Sequence, residues 1–575
     1  MEHASAVTVN ANMQKRAGDH LPAADRSERD PMAHPKLSVD TSMPIAPLHL
    51  DGVVDYPAEF AAQYREKGYW IGQTHSALLA GTVAAHPDGA AVVDPRRSLS
   101  YAELSERVQI IAGEFAARGL GRGDRVIVHM PNTVEYVEVV FALFEIGALP
   151  VFALAAHRSA EIRQFCTAAT ARGYITVDKF GLTSYGDLAT EIATDFPDVS
   201  TFVIPIGDES WATGPPLPRV DRSLPSDVAF LQLSGGTTGT PKLIPRTHDD
   251  YLYSVRESAR ICCIDSSSVM LAVLPISHNF TMSSPGLLGM IAVGGLVVMA
   301  PDPSPDTCLR LIEEHAVTHA ALVPPVLIAW LNSSARHDRD ISSLSSLWVG
   351  GAKLPEEAAR RVAPELGCSL TQVFGMAEGL VNYTRPDDDE ETVTTTQGRP
   401  ISPDDEVRVV DDAGVPVADG VAGHLQTRGP YTIRGYYRAP EHNRTSFTAD
   451  GFYATGDIVV RDPRGYLTVV GRSKDQINRG GEKIAPAMVE NHLLAHHEIH
   501  DVSVVGIPDE ALGERICAYV IRRDPDSATP TASQLRAFLR TERQVAAYTI
   551  PDRFEFVTEF PTTSVGKIDK KSQGA

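Results

Sequence analysis

Between residues 101 and 154 the apolar positions switch between two periods. Leu104, Val108, Ile111 and Phe115 recur at helical spacing, and Gly119 stands where such a helix would stop. A continuous apolar run follows over residues 126–130, closed by Pro131-Asn132. Val134, Val137, Phe141 and Phe144 form a second helical stripe ending at Gly147, and residues 148–154 read as another buried strand. Short apolar runs alternating with helical stripes predict βαβ units and a parallel sheet. The texture returns at 229–233, 271–274, 320–323 and 347–349, each run ending in a loop rich in Gly, Ser or Pro. Ligands of open α/β sheets bind beyond the carboxyl ends of the strands, so these loops are where a site is expected.

After about residue 403 the pattern changes to short β elements (407–410, 424–427, 466–470) separated by turn signals such as Asp412-Ala413-Gly414. From about 475 a smaller unit follows, with helices predicted over 489–494 and 533–539 and strands over 502–505 and 518–521. The predicted fold is α/β. A large domain over 51–472 carries doubly wound parallel sheets and a small β-barrel-like part. A smaller, mobile α+β domain occupies 473–575. Residues 1–50, rich in Asp, Pro, Ser and Ala, read as a tail or loosely docked extension. The most apolar stretch, 285–300, is too short to span a membrane and reads as a buried strand or helix pair. Residues 387–391 read as a solvated acidic loop.

Composition narrows the function. The chain has 575 residues, 43% hydrophobic and 22% charged, enough for a large core. With 52 basic against 73 acidic residues the formal charge is −21, which disfavours nucleic acid as a partner. A nucleotide needs only a local site. The six cysteines show no C-x-x-C spacing, which predicts buried thiols in a reducing compartment. No basic-then-apolar leader is seen, and a cytoplasmic enzyme is expected.

The candidate chemistry begins at Ser234-Gly235-Gly236-Thr237-Thr238-Gly239-Thr240-Pro241-Lys242, which follows the run 230–233. Glycines let a backbone approach an anion closely, hydroxyls add donors and Lys242 adds charge. It is not a Walker A loop, because Pro241 precedes Lys242 and Leu243 follows it.

This segment resembles the phosphate loop of the adenylate-forming superfamily. The stretch 234–251 (SGGTTGTPKLIPRTHDDY) resembles more specifically the stand-alone aryl-acid–AMP ligases of siderophore pathways, and the likeness runs from about Tyr56 to Lys571. The resemblance implies ATP and Mg²⁺ as cofactors and assigns roles to residues. Val373, Phe374, Gly375, Met376 and Ala377 hold the adenylate, and Glu378 binds Mg²⁺. The loop Gly351-Ala352-Lys353 lies against the adenine. Asp457 takes the ribose hydroxyls and Arg472 contacts the ribose. His248 joins the catalytic set. Lys474 is the hinge, Gly480 and Gly481 line the pantetheine tunnel, and Lys567 is the mobile catalytic lysine.

The acid pocket implied by the resemblance holds His278, Asn279, Phe280, Ser284, Gly351, Ala352, Val373 and Val381. Asn279 and Ser284 face ring hydroxyls. Ser284 and Val381 favour 2,3-dihydroxybenzoate, with salicylate next; Thr281 and Met282 stand where a Pro-Leu pair is usual. The implied partner is a phosphopantetheinylated aryl carrier protein on a separate chain, since no carrier motif follows Lys571; no nucleic acid and no membrane are involved. An aryl- or acyl-CoA ligase using free coenzyme A is the alternative. A non-catalytic AMP- or acid-binding module is the alternative of another class.

Overall fold

The computed structural model describes residues 45–234, 242–473, 475–479, 482–509, 512–543, 545, 547–563 and 568–573. Two sheets dominate. The first has six strands in the spatial order Leu243–Thr247, Val228–Leu233, Leu149–Ala153, Arg125–His129, Gly173–Val177 and Ser200–Ile204. Its pairings are parallel except for the hairpin of the first two. The second has nine strands. Its parallel centre runs through Val269–Ala272, His319–Leu322, Ser346–Gly350 and Ser369–Met376, and it turns antiparallel at Gly379–Tyr383. Leu149–Ala153 is buried at every position, as a parallel strand covered on both faces must be.

The helices start where the sequence supplies acceptors for free amides. Ser100 and Glu103 form a reciprocal capping box for Tyr101–Ala117, and Thr133 caps Val134–Glu145. The second helix is buried on its polar side as well. Arg97 reaches Glu135 at 3.1 Å and Glu138 at 2.9 Å, and Arg107 also reaches Glu138, so these carboxylates enter the core already paired. Residues 285–300 resolve into a helix, Gly286–Val293, and a strand, Leu296–Met299.

Two expectations need correction. The acidic run 387–391 is more than a solvated loop. Asp389 accepts from Thr392 N and opens the helix Glu390–Thr395, and Tyr466 donates to Asp388. Cys263 is exposed, whereas the other five cysteines are buried. Of the first 50 residues, 45–50 are described: Leu48 N donates to Asp227 Oδ1 at 2.9 Å, and Leu48 and Leu50 pack on the core of the six-stranded sheet.

Strands Glu406–Val410, Ala422–Arg428, Tyr453–Arg461 and Leu467–Arg472 form an antiparallel four-stranded sheet. Beyond it lies a five-stranded sheet centred on Ile499–Asp509 and Gly513–Arg522, with its own apolar core around Leu493, Val504, Ile516 and Leu535. It meets the larger part through the helix Pro486–Leu494 and through Asn332 Nδ2, which lies 3.1 Å from His500 Nδ1. Among the described residues no helix is long and apolar enough to cross a membrane.

Candidate active site

The hairpin Val228–Leu233/Leu243–Thr247 presents the glycine-rich loop. Ser234 N donates to Lys242 O, and Lys242 N donates back to Ser234 Oγ, both at 3.0 Å, closing the neck of the loop. Gly235, Gly236, Thr237, Thr238 and Gly239 lie outside the described residues. The Lys242 ammonium stands 5.4 Å from the centre of the Tyr436 ring.

Tyr436 leads to the carboxylate expected to bind metal. Its hydroxyl donates to Glu378 Oε1 at 2.7 Å and lies 2.9 Å from the hydroxyl of Tyr453. Burial, reinforced by the Glu378 charge, pushes both phenols well above their ordinary range, so they stay protonated donors. Glu378 is buried, and its Oε2 makes no hydrogen bond among the described residues. Asp457 and Arg472 face each other across neighbouring strands, with Arg472 Nε donating to Asp457 Oδ1 at 2.9 Å. The Asp457 charge holds the Arg472 guanidinium above its usual value. Lys242, Glu378, Asp457 and Arg472 are therefore brought to one locality, linked by the two tyrosines.

The strand Ser369–Met376 divides the site by its two-residue period. Phe374 and Met376 pack toward the four-stranded sheet with Leu380, Val409 and Leu425. Val373 turns the other way, into a cluster with Phe280 and Val381. Gly375 pairs with Val381 across the strands and is exposed. The apolar wall closes tightly over Gly350: a Cβ there would stand 2.6 Å from Val373 O and 3.3 Å from Phe280 Cζ. Gly351 follows with φ +82°, a left-handed turn that exposes Gly351 and Ala352. Lys353 is half-buried, and desolvation lowers its ammonium. His278 caps the short helix Asn279–Ser283 by accepting from Phe280 N at 3.3 Å. Asn279 stands at its first position, and Ser284, buried, follows its end.

The structure sets His248 apart from this group. Its buried ring is bonded to His75, Nδ1 to Nδ1 at 2.6 Å, and packs edge-on against Phe144. Burial lowers it to about 4. The ring is thus neutral and engaged with His75, and its catalytic role stays what the resemblance implies. Lys474, Gly480, Gly481 and Lys567 lie outside the described residues; Thr562 and Ile568 form an antiparallel bridge at the base of the Lys567 loop.

Sequence reasoning missed three contributors: Tyr436, Tyr251 and Arg246. Arg246 is buried and reaches three segments. It donates to Asp250 Oδ1 (2.8 Å), Ala377 O (2.8 Å) and Tyr431 O (3.1 Å). An arginine inside an otherwise apolar strand, four residues before an aspartate, was the available signal.

Comparison with known proteins gives the family. The chain matches the AMP-binding enzyme family over residues 79–437 and the AMP-binding enzyme C-terminal domain over 488–567. It is similar to the 2,3-dihydroxybenzoate-AMP ligase of Bacillus subtilis, 52% identical over 527 residues, covering 91% of this chain and 97% of that protein. It is also similar to the salicyl-AMP ligase / salicyl-S-ArCP synthetase of Mycobacterium tuberculosis, 43% identical over 554 residues, covering 94% and 97%. The apo structure of Mycobacterium smegmatis MbtA superposes with a TM-score of 0.69 at 42% identity, covering 91% of this chain and 98% of that one. An anthranilate CoA ligase, AuaEII, shares the fold at a TM-score of 0.80 and 24% identity, covering 87% and 96%. The fold is that of an adenylate-forming enzyme. The chain belongs to the AMP-binding enzyme family, and its relatives at 43–52% identity include aryl-acid–AMP ligases.

Proposed function

We propose that the protein activates an aryl acid with ATP to the aryl-adenylate and passes the acyl group to the phosphopantetheine thiol of an aryl carrier protein in siderophore biosynthesis. 2,3-Dihydroxybenzoate is the favoured acid and salicylate the next. One observation carries this reading. Phe280, Val373 and Val381 belong to one apolar cluster flanked by Asn279 and Ser284, and Val373 lies on the strand Ser369–Met376 that leads to Glu378. A ring pocket on one face and phosphate chemistry at the strand end would juxtapose carboxylate and α-phosphorus.

In step one the acid's carboxylate attacks the α-phosphorus and pyrophosphate leaves. Positioning and cations supply most of the catalysis of such a transfer. The loop from Ser234 to Lys242 would cradle the phosphates, Asp457 would accept both ribose hydroxyls, and Arg472 would hold Asp457 while touching the ribose. Gly351, Ala352 and Lys353 would flank the adenine. Glu378 fits Mg²⁺: it is a hard oxygen ligand with Oε1 fixed by Tyr436 and Oε2 turned to no protein donor. The metal, when bound, would neutralise charge on the phosphates. Lys567 would add its charge to the transferring group.

In step two the small domain, 473–575, would turn about Lys474 against the large domain, 51–472. That motion would withdraw Lys567 and bring in the Gly480-Gly481 loop as the thiol's passage.

Pyrophosphate exchange with a panel of hydroxylated benzoates, followed by thioester formation on carrier protein or coenzyme A, tests the reading. Exchange with 2,3-dihydroxybenzoate, and loading of the carrier, is the expected result. Exchange only with non-aromatic acids would overturn it. Salicylate preferred by more than about tenfold, which is roughly 1.4 kcal/mol, would move the assignment to that acid.

A further inference from the structure

Asn279 opens the short helix Asn279–Ser283 beside Phe280 of the apolar wall, with one end of its carboxamide already committed. The hydroxyl of Tyr251 donates to Asn279 Oδ1 at 2.9 Å. Tyr251 is itself immobilised. It is fully buried on the helix His248–Ile261, its ring meets Phe230 edge-on at 4.6 Å, and the Arg246 guanidinium lies over its face at 4.7 Å. Burial raises its phenol, so it remains a donor. Ser283 Oγ donates to the Asn279 carbonyl at 3.1 Å and pins the backbone as well. The carboxamide nitrogen is not enclosed and makes no hydrogen bond among the described residues.

We propose that Tyr251 is a positioning residue that fixes the polarity of acid recognition: by holding Oδ1, it makes Asn279 present only its N–H₂ to the ring substituent. The inference rests on the aryl-acid reading of the pocket and goes one step further. A carboxamide free to rotate can offer either a donor or an acceptor; this one offers a donor. The group it reads must therefore accept. A ring hydroxyl next to the carboxylate accepts through its oxygen while its own proton turns to that carboxylate. An amino group at the same ring position carries two N–H donors and a lone pair delocalised into the ring, so it meets Asn279 donor to donor. The pocket thus selects hydroxyl over amino at that position, although the two are nearly the same size. A buried polar group left facing the wrong partner is what gives such sites large discrimination.

The test compares kcat/KM for 2-hydroxybenzoate and 2-aminobenzoate in pyrophosphate exchange. Wild type favours the hydroxy acid by at least about a hundredfold. Tyr251→Phe keeps the ring contacts and removes only the hydroxyl, freeing the carboxamide to turn. The ratio then falls by at least about tenfold, through a higher KM for the hydroxy acid and a gain for the amino acid. Asn279→Asp, which offers only acceptors, moves the ratio the same way and checks that the carboxamide reads the substituent; should Tyr251→Phe not fold, Tyr251→Met, which also lacks the hydroxyl donor, is read in its place. A ratio unchanged within about twofold in the folded variant overturns the inference and leaves the aryl-acid reading standing. If wild type activates no hydroxylated benzoate, both fall together.

Discussion

Glu378 shows how one hydrogen bond prepares a side chain for its task. A carboxylate offers two oxygens, and with Oε1 held by Tyr436 the other makes no hydrogen bond among the described residues, which leaves it for the metal of the proposed reaction. Hydrogen bonds to a charged acceptor contribute about 1.5–3 kcal/mol, so Tyr436 should matter well beyond its own packing. Tyr436→Phe is expected to raise the Mg²⁺ concentration needed for half-maximal stabilisation by ATP at least tenfold, about 1.4 kcal/mol, read as a thermal shift without turnover. An unchanged Mg²⁺ titration would mean that Tyr436 only packs. Asp457 and Arg472 follow the same logic, each fixing the other before any nucleotide arrives.

At the scale of elements, the hairpin that carries the phosphate loop is tied to the segment that carries Glu378 by a single guanidinium. Arg246 bridges the strand Leu243–Thr247, the Ala377 carbonyl and the Tyr431 carbonyl. Arg246→Met would leave Asp250 a buried carboxylate without its cation, a loss of about 3–5 kcal/mol expected in chemical denaturation. Arg246→Lys keeps the charge but not the fork, so it should recover part of the stability while leaving the two carbonyls unequally held.

The strands and helices around this hairpin were legible from periodicity. Apolar runs at 229–233 and 347–349 are within a residue of the observed strands. The site was legible only where resemblance supplied it. The surroundings of His248, whose ring meets His75 and Phe144, could not be read from its segment, since those partners lie far along the chain. Tyr251 and Tyr436 were invisible for a physical reason: each acts through a partner at least 28 residues away, and no local spacing encodes such pairs. Arg246 offered only its spacing to Asp250, while the carbonyls that it bridges are far along the chain.

For the molecule as a whole, buried imidazoles set the acid response. His75 is held well below 6.5, and His129, His157, His248 and His319 lie at about 4, in each case chiefly by desolvation. These rings stay neutral in the fold but take up protons once unfolded. The unfolded state then binds more protons, and stability rises with pH. Their contribution is complete above about 6.5 and is lost as pH falls toward 4. Asp405 and Asp501, raised to about 7 by burial, take up protons in the fold and oppose this trend, but five rings outnumber two carboxyls, so the melting temperature should still begin to drop near pH 6.5. A flat profile between pH 6.5 and 5 would contradict the burial of these rings.

The uneven burial of the thiols gives the molecule a built-in reporter. Burial pushes Cys166, Cys308 and Cys368 up to about 12, and Cys262 and Cys517 are raised by the same cause. The reactive form of a thiol is the thiolate, so these five should resist alkylation while the chain stays folded. Cys263, exposed at the end of the helix His248–Ile261, is left as a natural labelling point. Native protein should take up one equivalent of a maleimide dye and denatured protein six, counted by intact mass. A single fluorophore fixed to the larger part of the molecule, paired with an acceptor attached beyond residue 475, would then measure the distance between the two parts during turnover without any cysteine having to be removed.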